Sequence, residues 1–96
     1  MKLDRMDIVN AAETAEVWDD DYEIREAYSG RYMGSRTCLA VTLPSASKLT
    51  EFMVALAVQL TENDRADDAL SLARMTRTDS MGTGIVAYWP GVELAG

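Results

Sequence analysis

The sequence predicts an α+β fold, a small two-layer sandwich in which helices cover one face of an antiparallel sheet of at least three strands. Residues 49–60 place apolar side chains at helical spacing, whereas residues 36–43 alternate along the chain as a strand does. Glycine and proline punctuate the chain and give the order helix, strand, strand, helix, helix, strand. Ninety-six residues can bury one compact core, so residues 1–96 are predicted to form a single domain.

The first predicted element is a short helix over residues 4–15. Asp4 can cap its N-terminus, and Asp7 lies three residues later in the first turn. Trp18 and three consecutive aspartates follow, and because aspartate favours turns over strands, the helix is expected to end before them. The apolar residues at helical spacing are Ile8, Ala12 and Ala15.

Two strands, residues 22–28 and 36–43, are predicted to form an antiparallel hairpin. Their connecting loop, residues 29–35, is longer than the two-residue optimum and contains Gly30 and Gly34. It is therefore expected to project from the sheet and to adopt positive φ angles. The first strand has Tyr22, Ile24 and Tyr28 at even positions, and one face of the second has Thr37, Leu39, Val41 and Leu43.

Two helices follow the hairpin. Pro44 ends the second strand, and the hydroxyls within residues 45–47 can cap a helix whose apolar stripe should cover one face of the sheet. That stripe contains Leu49, Phe52, Met53, Leu56 and Leu60. The next helix is capped at residues 63–64 and ends near Met75. Its inner face is predicted to hold Ala66, Ala69, Leu70 and Ala73, and its outer face Arg65, Asp67, Asp68 and Arg74.

The third predicted strand covers residues 85–89. Gly82 and Gly84 mark a turn before it, and residues 90–91, Pro-Gly, break the chain after it. A sheet of three strands leaves open edges, and an open edge can pair with another chain. A homodimer is therefore favoured, although covering loops would protect the edges as well.

The charge of the chain argues against nucleic acid as a direct partner. The formal net charge is −7, and most of it falls within residues 1–24, where two basic side chains face eight acidic ones. Nucleic-acid binding depends on cationic neutralisation of phosphates, so direct contact is not expected. An acidic face can dock on a basic protein surface, and its alternative role is to keep the protein in solution.

Other features of the composition favour the cytoplasm. A single cysteine cannot form an internal disulfide, the longest apolar run is too short to cross a membrane, and the N-terminus lacks the pattern of an export signal. Neither export nor membrane insertion is expected.

Catalytic and metal-binding residue types are sparse. The absence of histidine removes the commonest general base and the commonest metal ligand. Cys38 has apolar strand neighbours, which indicate a buried, inert thiol rather than a nucleophile. Asp19, Asp20 and Asp21 could bind a hard cation, but carboxylates in direct succession point in different directions, which favours a solvated turn. No catalytic residue, metal or cofactor is therefore predicted.

The best candidate for ligand binding is the loop over residues 29–36. Its glycines could let backbone N–H groups converge on an anion, and Arg31 and Arg36 offer bidentate donors for phosphate or carboxylate. The favoured alternative is a simple hairpin whose arginines pair with carboxylates such as Glu26 or Asp79. The loop matches neither the Walker pattern nor the dinucleotide fingerprint, because a strand rather than a helix follows it.

A second segment, beginning at Arg77, repeats a Met-Gly step and could complete one composite pocket if both turns lie at one end of the sheet. The candidate ligand-binding residues are Ser29, Gly30, Arg31, Tyr32, Gly34, Ser35, Arg36, Arg77, Thr78, Ser80 and Gly82. The candidate partner-binding residues are Trp18, Asp19, Asp20, Asp21 and Trp89. Trp89 would be an interface anchor if exposed, and an aromatic cover of a sheet edge otherwise.

The chain resembles a group of small uncharacterised proteins encoded by bacteriophages of actinobacteria. The resemblance rests on residues 28–38 (YSGRYMGSRTC), on residues 78–82 (TDSMG) and on residues 88–91 (YWPG). It implies an accessory protein in the cytoplasm of an infected bacterial host and brings no catalytic residues with it.

Three functional hypotheses follow from these observations. The leading hypothesis is a non-enzymatic protein, dimeric in form, that binds a host protein. The first alternative is a binder of a nucleotide or other small anion through the two loops, and the second is a minor structural component of the virion.

Overall fold

The computed structural model describes residues 1–95 as an α+β fold, which confirms the predicted fold class. The elements are β1 (Lys2–Asp4), α1 (Arg5–Thr14), a 3₁₀ turn (Asp19–Asp21), β2 (Glu23–Tyr28), β3 (Cys38–Leu43), α2 (Ala46–Glu62), α3 (Ala66–Met75), β4 (Arg77–Met81), β5 (Gly84–Trp89) and β6 (Glu93–Ala95). The main sheet is antiparallel with the order β2-β3-β5-β4, and β1 pairs with β6 in a small parallel sheet. No helix among residues 1–95 has the length and apolar character needed to cross a membrane.

The three helices cover one face of the main sheet, which we call the inner face. The largest buried side chains there are Phe52 and Leu56 of α2 and Trp89 of β5, each fully shielded from solvent. Trp89 also donates its indole N–H to Thr76 Oγ1 at 2.8 Å, so its one polar atom is satisfied inside the protein. The core therefore lies between α2 and the two central strands.

The predicted hairpin of β2 and β3 is present, but Ile24 and Tyr28, both at even positions of β2, point to opposite faces of the sheet. The register shifts between Arg25 and Tyr28, where the ladder is irregular. Such an irregularity changes the face to which later residues point. Ile24 consequently packs against the inner core, whereas Tyr28 packs with a second cluster on the opposite, outer face.

Three strands were not predicted. β1 and β6 contain three residues each and pair only with one another. β4 occupies a segment that the sequence predicted as a turn, and it runs antiparallel to β5 with Arg77 opposite Tyr88 and Met81 opposite Gly84. Most of its side chains are exposed, so it shows no alternation of apolar and polar residues that could reveal it.

The starts of α1 and α2 follow the predicted capping chemistry, but the cap predicted for α3 at residues 63–64 is wrong, because the N-cap there is Arg65 and no side chain caps the helix. The Asp4 N–H donates to Asp7 Oδ2 at 3.0 Å at the start of α1, and Ser45 Oγ accepts from the Lys48 N–H at 3.1 Å at the start of α2.

The predicted faces of α3 are wrong at several positions. Ala66 and Ala73, expected on the inner face, are exposed. Arg65, expected to face outward, forms a 2.9 Å ion pair with the buried Asp7, so it joins α3 to α1. Leu70, predicted on the inner face, is exposed, and Leu72 is buried in its place. Arg65 is the N-cap of α3 and has non-helical backbone angles, so the helical spacing does not determine where its side chain points.

Candidate functional site

Residues 29–37, which we call the cover loop, fold back over the outer face of the sheet. Met33 reaches into the outer cluster, where it packs with Cys38, Ala40, Val86 and Tyr88. Its Sδ lies 3.6 Å from Cys38 Sγ and accepts a hydrogen bond from the Gly30 N–H at 3.3 Å. The loop was expected to project from the sheet, but the burial of this thioether holds it down instead.

The first glycine of the cover loop allows a close approach to the sheet. Gly30 is buried against Tyr88, and a Cβ atom added there would overlap the aromatic ring. This glycine serves packing, whereas Gly34, at a φ of 64°, serves the turn that follows. Gly30 therefore permits close packing against Tyr88, and Gly34 permits a turn.

The buried thiol predicted for Cys38 is confirmed. The residue is buried in the outer cluster, and this burial raises the pKa of the thiol, which disfavours the reactive thiolate.

Asp79 of β4 also holds the cover loop, near the start of that loop. Its Oδ2 accepts a hydrogen bond from the Tyr28 hydroxyl at 2.6 Å and another from the Arg31 N–H at 3.1 Å. Burial, followed by the hydrogen bond to Asp79, raises the pKa of Tyr28 to about 12. Burial and then the Asp79 charge also raise the pKa of Tyr88. Both phenols therefore stay protonated to a higher pH than an ordinary tyrosine does.

A shallow depression of about 490 Å³ lies beside this contact. Four of the predicted ligand-binding residues line it, namely Arg31, Tyr32, Thr78 and Ser80, together with Tyr28, Asp79 and Tyr88. The cover loop and the start of β4 thus meet, as the composite pocket requires.

The other Met-Gly turn lies elsewhere, which corrects the prediction that both turns share one end of the sheet. β3 and β5 are antiparallel, with Leu39 opposite Trp89 and Leu43 opposite Ile85. The cover loop enters β3 at Cys38, whereas Gly82 precedes β5 beside the far end of β3. Gly82 provides the turn between β4 and β5 at a φ of 60°. Ser29, Gly34, Ser35, Arg36 and Arg77 also lie outside the lining of the depression.

The arginines did not form the predicted ion pairs. Within residues 1–95, no carboxylate oxygen lies within 4.0 Å of the guanidinium groups of Arg31, Arg36 or Arg77. Glu26 pairs with Arg5 instead, at 3.8 Å. The Arg31 guanidinium lies 5.6 Å from the centre of the Tyr32 ring, a cation–π contact.

The polar groups of the cover loop are largely used within the protein. The Gly30 N–H donates to Met33 and the Arg31 N–H to Asp79, so these groups do not converge on an anion. The Ser29 hydroxyl likewise donates to the Gly34 carbonyl at 2.9 Å. Asp79 places a carboxylate in the depression itself. The depression is therefore mixed in charge, with one cation and one anion.

A second depression, of about 500 Å³, lies near the end of α1 and is lined by three of the candidate partner-binding residues, Trp18, Asp19 and Asp20, but not by Asp21. We call it the acidic depression; it is lined by Val9, Glu13, Val17, Trp18, Asp19, Asp20 and Tyr22. Trp18 is 57% exposed, and the three aspartates form an exposed 3₁₀ turn beside it. Among residues 1–95, no lysine or arginine pairs with these aspartates, and no cluster of carboxylates or thiols is arranged to hold a metal ion.

Trp89, the remaining candidate for partner binding, does not belong to this surface. The side chain is fully buried in the inner core. It cannot be an exposed interface anchor, and it does not simply cover a sheet edge, because β5 is a central strand. Tyr88, on the opposite face of the same strand, is buried as well, since the cover loop shields it.

The residues that organise the outer face were only partly visible in the sequence. Asp79 was considered as a carboxylate for an arginine side chain, but it binds a tyrosine hydroxyl and a backbone N–H. Met33 gave no signal because a methionine in a loop is not distinguishable from a surface residue by spacing alone. Among models of protein families, curated proteins and solved structures, none matches this chain.

Proposed function

We propose that this chain is a non-enzymatic binding protein whose acidic depression engages a basic surface on a partner protein. The observation that carries the proposal is the exposed Trp18 beside Asp19, Asp20 and Asp21, whose carboxylates have no cationic partner among residues 1–95. The resemblance to actinobacteriophage proteins supports a host protein as that partner and the host cytoplasm as the location.

The two kinds of residue contribute differently to such an interface. A tryptophan that becomes buried on binding is the side chain most often found to dominate interface affinity. Carboxylates around it attract a cationic surface during the encounter and repel acidic proteins. Trp18 would then supply contact area, and the aspartates would supply orientation and selectivity.

Binding of a small anion under the cover loop is less well supported. Arg31 is the only guanidinium that lines that depression, and Asp79 opposes an anion there. The backbone N–H groups of Gly30 and Arg31 already have acceptors within the protein. Anion binding by this loop remains a prediction from the sequence.

The first test is recovery of a partner from an actinobacterial host lysate by the immobilised protein. Wild type and a Tyr32→Ala variant should retain the same stoichiometric protein, whereas Trp18→Ala should lose it. Tyr32 is a matched control because it is an aromatic residue that is 76% exposed and lies on the cover loop, outside the acidic depression. Equal recovery by all three proteins, or no stoichiometric partner for the wild type, would contradict the proposal.

A further inference from the structure

A shallow apolar groove of about 650 Å³ runs along α2 beside the end of α1. We call it the α2 groove. Its apolar lining is Ala15, Val54, Ala55 and Val58, and the two valines are 58% and 51% exposed. They lie one helical turn apart on α2, so they form a continuous stripe on the solvent-exposed side of that helix. An apolar stripe of this kind on a small acidic protein is a candidate interface.

Two of the neutral polar side chains that line the groove, Thr50 and Gln59, already have partners. The Gln59 amide donates to the Asp7 carbonyl and carboxylate, at 3.3 and 3.2 Å, and the Thr50 hydroxyl donates to the Ala46 carbonyl at 3.2 Å. A ligand that needs directional hydrogen bonds from these groups would have to displace internal ones. The groove therefore offers apolar contact and the charges at its rim.

The charge at the rim is mainly negative. Glu51 and Glu62 line the groove, and Lys48 lies beside it, where its ammonium pairs with Glu51 at 3.1 Å and donates to the Ala15 carbonyl at 2.9 Å. Glu62 has no cationic partner among residues 1–95.

Helix dipoles add to this negative charge. α1 ends at Thr14 and α2 at Glu62, both in the lining of the groove, and neither helix has a basic residue in its last turn. Helix C-termini carry partial negative charge. The Lys48 ammonium already meets that charge at the end of α1, through the Ala15 carbonyl, so the end of α2 beside Glu62 is the one left to attract a cation.

This charge distribution disfavours a second copy of the chain as the occupant. Two copies facing each other across the groove would bring together two pairs of glutamates and the negative C-terminal ends of the two α2 helices. Like charges at close range in an interface are unfavourable, and they favour a partner of opposite sign.

We propose that the α2 groove binds a basic amphipathic helix of a partner protein. Apolar side chains of that helix, spaced at i, i+3 or i+4 and i+7, would pack on Val54 and Val58, and its flanking lysines or arginines would meet Glu51 and Glu62. The inference rests on the proposed function, since this helix is the element that the basic partner presents. It adds a second contact surface, because the groove and the acidic depression share no lining residue.

The test uses a synthetic amphipathic helix of about 18 residues, matched to the length of α2, with leucines on one face and lysines on the other. Fluorescence anisotropy measures its affinity for wild type, Val58→Asp and Leu70→Asp. Val58 and Leu70 are 51% and 53% exposed on helices, so the two variants gain the same charge at equally exposed sites. Val58→Asp should weaken binding about tenfold or more, because it disrupts the apolar contact, and Leu70→Asp should leave it unchanged.

Because both variants add a negative charge, the comparison separates loss of apolar contact from a purely electrostatic effect on binding. If binding were only electrostatic, both variants would bind the cationic peptide as well as or better than wild type, which would overturn the proposal. Val54→Asp provides a second variant in the groove, and far-ultraviolet circular dichroism checks that each variant is folded. A concentration-dependent dimer of the wild type that Val58→Asp disperses would also overturn the proposal, because a second copy would then occupy the groove.

The same variants distinguish failure of the groove from failure of the acidic depression. A lysate partner that Trp18→Ala loses and Val58→Asp retains would leave the proposed function in place and reject the groove. A partner lost by Val58→Asp and retained by Trp18→Ala would reject the acidic depression and support the groove.

Discussion

Asp79 joins two parts of the chain that lie far apart in sequence. Its carboxylate accepts the Tyr28 hydroxyl across 51 positions of sequence and the Arg31 N–H across 48. Such contacts carry a large entropic cost of ordering, which the burial of Met33 and Tyr88 helps to offset. The cover loop is thus held by the hydrogen bonds of Asp79 and by the apolar packing of Met33. Substitutions can remove one of these contributions and leave the other.

The free energy of unfolding should fall at alkaline pH, because burial and the hydrogen bond to Asp79 raise the pKa of Tyr28. The pKa of Tyr28 is about 12 in the folded protein and about 10.0 when unfolded, so the folded state holds the phenolic proton more tightly. The stability that this proton contributes is complete below pH 10 and falls as the pH rises from 10 towards 12. Tyr28→Phe should lower the free energy of unfolding by about 1–2 kcal/mol at neutral pH and reduce the alkaline loss.

Urea denaturation across this pH range measures both effects. Part of the alkaline loss should remain in Tyr28→Phe, because the pKa of Tyr88 is also raised. Tyr32→Phe is the control, since Tyr32 is exposed and makes no hydroxyl contact with Asp79. An alkaline loss of stability as large in Tyr28→Phe as in wild type and Tyr32→Phe would contradict this account of the contact.

Side-chain environments were predictable where the sequence restricted them strongly. Cys38, between apolar neighbours in an alternating strand, is buried as expected. The burial of Trp89 could not be predicted from the sequence, because a tryptophan at the end of a strand can be exposed or covered depending on the strand order. Here β5 is central and α2 packs on it, so the indole is enclosed.

At the scale of elements, the contact between Arg65 and Asp7 connects the helices. Arg65 pairs with Asp7 at 2.9 Å, pairs with Asp68 at 3.1 Å and donates to the Lys2 carbonyl at 2.8 Å. It therefore touches α1, α3 and β1 together. Asp7 is only 7% exposed, so its carboxylate depends on these donors and on Gln59.

Removal of Arg65 should consequently destabilise the protein more than removal of an exposed arginine. Arg65→Ala leaves a buried carboxylate without its cationic partner, and we expect a loss of about 2 kcal/mol in the free energy of unfolding. Arg74→Ala on the same helix is the control, because Arg74 is exposed and forms no ion pair within residues 1–95. Chemical denaturation should show the difference, and equal midpoints for the two variants would contradict the assigned role.

Elements with strong periodicity were predictable, and short polar ones were not. α2 and the β2–β3 hairpin follow from apolar spacing and from Pro44 and Ser45 at their junction. β4 exists because its backbone pairs with β5, and pairing of the backbone requires no apolar side chains. The irregularity between Arg25 and Tyr28 was likewise invisible, since one extra residue changes the face without changing the composition.

Across the whole molecule, negative charge and exposed apolar groups concentrate around α1 and α2. Both depressions border α1, the acidic depression at Val9 and Glu13 and the α2 groove at Thr14. The outer face of the sheet, by contrast, is covered by its own loop and has a mixed charge. The predicted composite pocket is thus only partly assembled, whereas the acidic residues around α1 and α2 lie near the exposed side chains of Trp18, Val54 and Val58.

The homodimer remains a prediction from the sequence. The main sheet has β2 and β4 at its edges. β2 has an irregular ladder and charged side chains, features that discourage pairing between molecules, whereas β4 is regular. The edge of β4 is therefore the one at which a second copy would pair.

The central claim is that a particular acidic site, rather than net charge, selects a basic partner. The most direct measurement compares lysate recovery by two variants that each lose three negative charges. One replaces Asp19, Asp20 and Asp21 by asparagine, and the other changes the exposed Asp64, Asp67 and Glu93 to their amides. We predict that the first variant loses the partner and the second retains it. Equal recovery by both variants would contradict the claim.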